Sequence, residues 1–249
     1  SHRFKIGLLI GLSIVAFIAI MFTPPIPQDL KYHAFADQRT ICSIPNCWNV
    51  ISNLPLVLIG SIGMLFIRSR RPGFRLKELS VNCFVFFLGI FLTGIGSAYY
   101  HFNPNNGTLI WDRLPMTISF MAFFSIIIGD CIDIRSAKKI LWPLLVIGFL
   151  SIQYWVMTES KGHGDLRFYA LVQFLPIILI PIILLLYQSK YNLKPAFWII
   201  VLMYGFAKLF EAYDQEVFHS LKSVSGHSIK HVFAALAPAV FLIGLQTKT

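Results

Sequence analysis

The stretch GSAYYHFNPNNGTLIWDR contains Ser97, His101 and Asp112 at the point where one long apolar run ends and another begins. A second polar pair, His227 and His231, opens the last apolar run in GHSIKHVFAAL. Polar side chains at the edge of membrane segments cost free energy unless another group or a ligand satisfies them. These five residues are therefore the candidates for chemistry.

The histidine spacing predicts a metal site. His227 and His231 are four residues apart, so on a helix they project from one face about one turn apart and can bind one ion. His101 would supply a third nitrogen from a distant segment. Three histidines with an open fourth position are typical of catalytic zinc, whereas structural sites have four closed ligands. Zinc held in this way lowers the pKa of its bound water to about 7 and polarises a carbonyl group.

Asp112 and Ser97 are the predicted catalytic side chains. Asp112 could take a proton from the water and pass it to a leaving amine, or it could orient a histidine ligand from outside the metal shell. Ser97 lies four residues before His101 on the same helical face. Its hydroxyl could donate to an oxyanion or hold the water. A serine nucleophile is less attractive, because metal-bound histidines cannot act as its base.

The composition is that of a polytopic membrane protein. Of the 249 residues, 56 % are hydrophobic and 13 % are charged, about half the charged fraction of an average soluble domain. The net charge is +10, but no basic cluster lies on a soluble domain, so nucleic acid is not a predicted partner. The predicted partners are the lipid bilayer and a lipid substrate, and the sequence does not fix the oligomeric state.

Long apolar runs predict the fold class. A helix needs about 20 mostly apolar residues to cross a bilayer. The sequence therefore predicts an all-α, polytopic transmembrane helix bundle with eight spans: Ile6–Phe22, Thr40–Ile67, Leu79–Tyr100, Leu114–Gly129, Ile140–Thr158, Phe168–Ser189, Pro195–Phe210 (interrupted by Lys208) and a last span from near His227 to about Leu245.

The first span has two interpretations. Basic Arg3 and Lys5 precede it and Ala-Phe-Ala follows at 34–36, as in a cleaved signal peptide. Its 17 apolar residues exceed the usual signal core of about 7 to 15, which favours an uncleaved anchor. We therefore expect an extra N-terminal transmembrane helix at 1–24, ended by prolines, and a main membrane domain at 25–249.

The loop charges predict an orientation. Lysines and arginines are more than twice as frequent in the loops on the side of the N-terminus as in those on the opposite side. We therefore expect both termini to be cytoplasmic and the five candidate residues to lie near the outer face. The residues on the N-terminal side are Arg3, Lys5, Arg68, Arg70, Arg71, Arg75, Lys77, Arg135, Lys138, Lys139, Lys190, Lys194 and Lys248.

Other polar residues allow more than one interpretation. Cys42 and Cys47 could form a disulfide in an oxidising compartment or simply pack as apolar side chains. Lys208 and Glu211, three residues apart, can form an ion pair and could also line a substrate cavity. Lys230 falls on another helical face than the two histidines and is expected to extend to the membrane interface.

The pattern Ser-x3-His-x10-Asp, followed near the C-terminus by His-x3-His, resembles the alkaline ceramidase family. That family belongs to a wider set of seven-helix membrane hydrolases that includes the adiponectin receptors. The segment NCWNVISNL at 46–54 is similar as well, and the resemblance covers roughly residues 32 to 245. It implies a seven-helix hydrolase core, Zn²⁺ on the three histidines, and hydrolysis of the amide bond of ceramide to sphingosine and a fatty acid.

One departure from the family concerns calcium. The animal and yeast ceramidases carry an acidic calcium-binding loop that ends in a glutamate, where this sequence has Asn46. The preceding HAFADQRT offers only Asp37 as a carboxylate, whereas Ca²⁺ takes six to eight oxygen ligands. The sequence thus disfavours Ca²⁺. The FADQR segment resembles the loop of bacterial ceramidase-like proteins, which favours a bacterial inner membrane.

Two other functions stay open at this point. One is the hydrolysis of another lipid amide or ester, since relatives act on other lipids. The other is a zinc-containing membrane receptor without catalysis, in which the metal only holds helices together. Ser97 and Asp112 argue against the receptor, because neither is needed to bind the metal.

Overall fold

The computed structural model describes residues 1–69 and 73–246. Within these residues the regular structure is helical, apart from one isolated bridge between Ile41 and Ile44, which confirms the all-α prediction. The α-helices are α1 His2–Met21, α2 Cys47–Ile51, α3 Leu54–Arg68, α4 Ser80–Phe102, α5 Asn106–Cys131, α6 Ile134–Glu159, α7 Arg167–Leu186, α8 Lys194–Ala212, α9 Asp214–Leu221 and α10 Gly226–Gln246.

The predicted number of spans is confirmed. The described part of the chain has eight helices long and apolar enough to cross a membrane, with α2 and α3 counted as one. Arg70, Arg71 and Lys248, which contribute to the predicted orientation, lie outside the described residues. The orientation itself stays a prediction, and so does the division at residue 24.

Three span starts were wrong by six residues or more, one of them that of α6, which begins at Ile134 rather than at Ile140. The second span was expected from Thr40, but its helix begins at Cys47, because Cys42, Ser43 and Asn46 have positive φ angles that no α-helix accommodates. Cys42 is exposed, Cys47 is buried, and both are free thiols.

The fourth span was expected from Leu114, but α5 begins at Asn106. Asn105 caps the helix, its side chain accepting from the Thr108 amide while the Thr108 hydroxyl accepts from the Asn105 amide. Asp112 therefore lies inside α5 rather than at its start.

Helix α5 is the centre of the bundle. It packs against α4, α6 and α7, and it is the most buried of the eight candidate spans. Helix α10 packs against α8 and α3, and α3 packs against α4. Helix α1 packs on α7 and is the least buried span.

The close approach of α4 and α5 depends on Gly96. A Cβ atom at this position would lie 1.8 Å from the carbonyl oxygen of Trp111. Only a glycine allows the two backbones to come this close. The contact sets Ser97 of α4 beside Asp112 of α5, because each follows directly on one of the touching residues.

Candidate metal centre

His101, His227 and His231 form a nearly equilateral triangle of imidazole rings. The ring centroids of His101 lie 4.8 Å from His227 and 4.9 Å from His231, and those of His227 and His231 are 4.9 Å apart. All three side chains are buried. His101 comes from the last turn of α4, and the other two come from the first turns of α10. The structure thus brings together the three histidines that the spacing predicted as ligands.

The nitrogen positions fit a tetrahedral metal ion. One nitrogen from each ring lies within 4.8 Å of the other two. The Nε2 atoms of His101 and His227 are 3.2 Å apart. Zinc–nitrogen bonds of 2.0–2.1 Å at tetrahedral angles place two ligand nitrogens about 3.3 Å apart. A single ion can therefore bind this set with little movement.

A serine that the sequence analysis missed orients His231. The Ser52 hydroxyl lies 2.7 Å from Nδ1 of His231. Nε2 of the same ring is buried and has no hydrogen-bond partner among the described residues. A buried nitrogen without a partner costs free energy, and a metal ion would satisfy it. A hydrogen bond to the second ring nitrogen is what metal-ligating histidines usually have.

Helix α2 and Asn46, the residue that precedes it, hold the helix ends that carry the histidines in place. Asn46 donates from its side-chain amide to the carbonyl oxygen of His101, at 2.9 Å. The Asn49 side chain accepts from the hydroxyl of Ser228, at 2.9 Å, and donates to the carbonyl oxygen of Asp37. These contacts link the end of α4 to the start of α10. The signal was present in the sequence, since NCWNVISNL has an unusual number of amide and hydroxyl side chains in an apolar run.

Phe35 covers the triangle from the loop before α2. Its ring centroid lies 4.6 Å from His101 and 4.7 Å from His227, and the side chain is buried. Asp214 fixes this loop to α10, because its carboxylate accepts from the Ala36 amide at 2.9 Å and from the His227 amide at 2.7 Å. The sequence analysis did not identify either residue, since neither has a local pattern that relates it to the histidines.

Ser97, Asp112 and His231 line one cavity of about 270 Å³. Ser97 and Asp112 are both buried, on the touching segments of α4 and α5. The rings of His101 and His227 pack against that of His231, with centroids 4.9 Å away. The remainder is largely apolar, with phenylalanine, leucine and isoleucine side chains from α3, α4, α5 and α8. The arrangement is that of an amphiphilic cavity with its polar groups at one end.

Three charged side chains extend the polar end. Lys208 and Glu211 form the predicted ion pair, and both also line the cavity. The prediction for Lys230 was wrong. Its side chain turns inward, where Nζ lies 3.2 Å from the Glu211 carboxylate and 2.9 Å from Nε2 of His227. The buried carboxylate of Glu211, supplied by another helix, attracts the ammonium group away from the interface.

The loop before α2 is held by an internal ion pair. Arg39 binds Asp37 at 2.6 Å and also donates to the carbonyl oxygens of Lys222 and Ser223. Burial alone would raise the pKa of Asp37, but the hydrogen bonds from Arg39 outweigh this effect and lower it below its usual range. Both Asp37 oxygens are used by Arg39. The donor set of this loop, including the donating amide of Asn46, does not fit the oxygen-rich shell of Ca²⁺.

Comparison with known protein families supports this interpretation of the site. A family model described as Ceramidase matches residues 39–248, which include the five predicted site residues and seven of the eight candidate spans. No curated protein matches the chain.

Proposed function

Because the chain belongs to the ceramidase family, we propose that it is a zinc-dependent intramembrane hydrolase that cleaves the amide bond of ceramide to sphingosine and a fatty acid. The observation that supports this most directly is the triangle of buried imidazoles at the polar end of a largely apolar cavity. In this proposal His101, His227 and His231 are the metal ligands, Asp112 is the catalytic acid and base, and Ser97 supports Asp112.

Zinc bound by these three imidazoles would supply hydroxide near neutral pH and polarise the scissile carbonyl group. The three imidazole rings must be in their neutral form to bind the metal ion. The Ser52 hydroxyl at Nδ1 of His231 fixes that ring's orientation and leaves Nε2 for the ion. Phe35 keeps bulk water from the outer side of the rings.

Asp112 accepts a proton in the first step of the reaction and donates it in the second. A water oxygen attacks the amide carbon, and Asp112 accepts the proton that this water loses. The carbon–nitrogen bond then breaks, and Asp112 passes the same proton to the departing nitrogen. The products are a fatty acid and the free amine of the sphingoid base. The carboxylate returns to its ionised form, so the cycle needs no further group.

Ser97 positions the Asp112 carboxylate. Its hydroxyl has one proton to donate, and in this proposal it donates to the Asp112 carboxylate, which lines the same cavity. This bond leaves the second carboxylate oxygen of Asp112 for the proton transfer. Ser97 is thus a positioning residue, and the oxyanion contact considered from the sequence is not needed for this role.

The cavity size indicates how a lipid would bind. A volume of about 270 Å³ lies just below the usual range for small-molecule pockets, roughly 300–1,000 Å³. It can hold the amide region and the first part of the chains, and the rest would extend between the helices into the bilayer. Apolar side chains at the wall favour such a substrate over a soluble amide.

Metal analysis of the purified protein, paired with a fluorescent-ceramide assay with and without chelator, tests the function. The expected result is about one zinc per chain and hydrolysis that chelator abolishes and zinc restores. Cleavage of an acyl ester or another lipid amide with ceramide inert would replace the substrate. Bound zinc with no turnover of any lipid would indicate a receptor instead.

We further propose that both termini face the cytoplasm of a bacterial cell, with the metal centre near the outer face of the inner membrane. Cys42 is the exposed cysteine of the outer loop, and the other three are buried. A membrane-impermeant maleimide should label it in intact spheroplasts, and Cys42→Ser should remove the label. In that background, Ser136→Cys on the opposite face should react only after permeabilisation. The reverse pattern would contradict the orientation.

A further inference from the structure

Arg113 is a buried cation in the cavity wall that the proposed reaction does not use. It follows Asp112 on α5 and its side chain is 6 % exposed. Its guanidinium carbon lies 4.7 Å from the ring of Trp155, 5.0 Å from that of Tyr169 and 5.4 Å from that of Tyr32. Three aromatic faces thus hold the charged group in a fixed place.

The guanidinium has unused hydrogen-bond capacity. Its Nη1 atom is buried and has no hydrogen-bond partner among the described residues. None of the ion pairs in the described part of the chain involves Arg113. An arginine has five N–H donors and is always charged, so burying it without acceptors is energetically unfavourable. Aromatic rings compensate part of the charge, but they do not replace the hydrogen-bond acceptors.

Two other arginines show what a structural arginine looks like in this protein. Arg39 pairs with Asp37 at 2.6 Å, and Arg167 pairs with Asp165 at 2.8 Å. Each also donates to backbone carbonyl oxygens. Arg113 has neither kind of partner in the described structure, although it is less exposed than Arg39. Its position therefore fits binding of a ligand better than support of the fold.

The charged side chains that line the cavity indicate the sign of the charge on that ligand. The cavity wall contains the carboxylates of Asp112 and Glu211 and the cations Arg113, Lys208 and Lys230. Glu211 is paired with both lysines, which leaves Arg113 without a carboxylate of its own. Positive charge is in excess before any metal binds. An anionic oxygen group in the ligand would balance it.

We propose that Arg113 binds an anionic oxygen group, a carboxylate or a phosphate, of the lipid held in the cavity. This inference deepens the proposed function, on which it rests for the identity of the cavity as the substrate site. The group can have two sources. It can be a substituent on the amine side of the substrate, or it can be the carboxylate of the released fatty acid.

Binding of matched lipid pairs to full-length protein in detergent tests the proposal. The first pair is N-palmitoylglycine and N-palmitoylethanolamine, which differ in a carboxylate and a hydroxyl. The second pair is palmitate and hexadecanol. Binding is measured on Asp112→Asn protein to prevent turnover, alone and combined with Arg113→Gln, Arg113→Lys or Arg135→Gln. Arg135 is exposed on the opposite side of the bundle and controls for the loss of one charge.

We expect the anionic member of at least one pair to bind about tenfold more tightly than the neutral one. Arg113→Gln should remove this preference, whereas Arg113→Lys should keep part of it and Arg135→Gln all of it. A carboxylate could also bind the metal directly, but that contribution cancels because every variant keeps the three histidines. Loss confined to N-palmitoylglycine assigns the group to the substrate, and loss confined to palmitate assigns it to the product.

An unchanged preference in Arg113→Gln, or equal binding of both members of both pairs, would overturn the proposal. Thermal unfolding of each variant shows whether it is folded, and Arg113→Lys gives a second reading if Arg113→Gln is not. These binding data need neither zinc nor turnover. Failure of the proposed function, seen as metal-free protein or an inert amidase, is therefore distinguishable from failure of this inference.

Discussion

Replacement of Gly96 by alanine tests whether the spacing of α4 and α5 sets the catalytic geometry. The substitution adds one methyl group and removes no polar atom. That methyl group would lie 1.8 Å from the carbonyl oxygen of Trp111 and 2.7 Å from its carbonyl carbon. These are backbone atoms, so no side-chain rotation can relieve the clash. The two helices have to separate.

The size of the separation follows from the contact distance. Ordinary van der Waals contact begins near 3.4 Å, so the shortfall at Trp111 is about 1.6 Å. Because α4 carries Ser97 and His101 while α5 carries Asp112, the separation moves the proposed proton carrier away from the proposed metal ligands. A displacement of about 1 Å can cost about 100-fold in rate. Overpacking of this kind also destabilises by about 1–3 kcal/mol.

The assay is ceramide hydrolysis, with kcat/KM, zinc content and thermal unfolding measured on the same preparations. We expect Gly96→Ala to lose about 100-fold in kcat/KM and to keep its zinc, since the three histidines lie on α4 and α10. Gly205→Ala is the matched control. A Cβ atom at Gly205 has nothing within 4 Å, so that variant should retain its activity.

Two results would refute this reasoning. If Gly96→Ala has native kcat/KM and a native melting temperature, the helices tolerate the methyl group and their spacing is not critical. If Gly205→Ala loses as much activity as Gly96→Ala, the effect comes from glycine replacement in general rather than from the contact with Trp111.

Three further predictions concern single side chains. Asp112→Asn should keep its zinc and its fold but lose about 10²- to 10⁴-fold in turnover, and a variant with native turnover would exclude Asp112 as the proton carrier. Ser52→Ala should weaken zinc binding about 10- to 100-fold by freeing the ring of His231, as titration against a chromophoric chelator would show; unchanged affinity would contradict the role of this hydroxyl. Burial raises the pKa of Asp165, but hydrogen bonds led by those from Arg167 lower it from 3.8 to about 2. This pair therefore stabilises the fold above pH 3.8 and is lost as the pH falls towards 2. Asp165→Asn should accordingly lower the melting temperature at pH 7 and by progressively less between pH 4 and 2, whereas a deficit independent of pH would exclude the ion pair as its cause.

The helices and the histidine cluster could be predicted from the sequence because both depend on local patterns. Long apolar runs require helices in a bilayer, and the spacing of His227 and His231 places both rings on one face. The ends of the runs also place His101 at the same end of the bundle. The structure confirms the eight spans and brings the three rings together, with geometry that one ion fits.

The surroundings of the metal ligands could not be predicted, because they depend on contacts between distant segments. Ser52 meets His231 across 179 residues, and Asn46 meets His101 across 55. A propensity argument assigns such serines and asparagines to turns or helix ends. Which of them would reach a histidine is decided by the packing of α2 against α4 and α10.

The side chain of Lys230 could not be placed from its position on its own helix, because its ion-pair partner lies on another helix. Its position on α10 predicted that its side chain extends to the membrane interface. Instead, Glu211 of α8 pairs with both Lys230 and Lys208 and holds Lys230 inside the bundle. Its ammonium donates to Nε2 of His227 at 2.9 Å, and a metal ion needs the same lone pair. This nitrogen cannot accept from Lys230 and bind a metal ion at the same time. If a metal ion binds there, Lys230 keeps only its ion pair with Glu211. In a metal-bound state, Glu211 would therefore be the carboxylate that offsets the charge of Lys230 beside the ion.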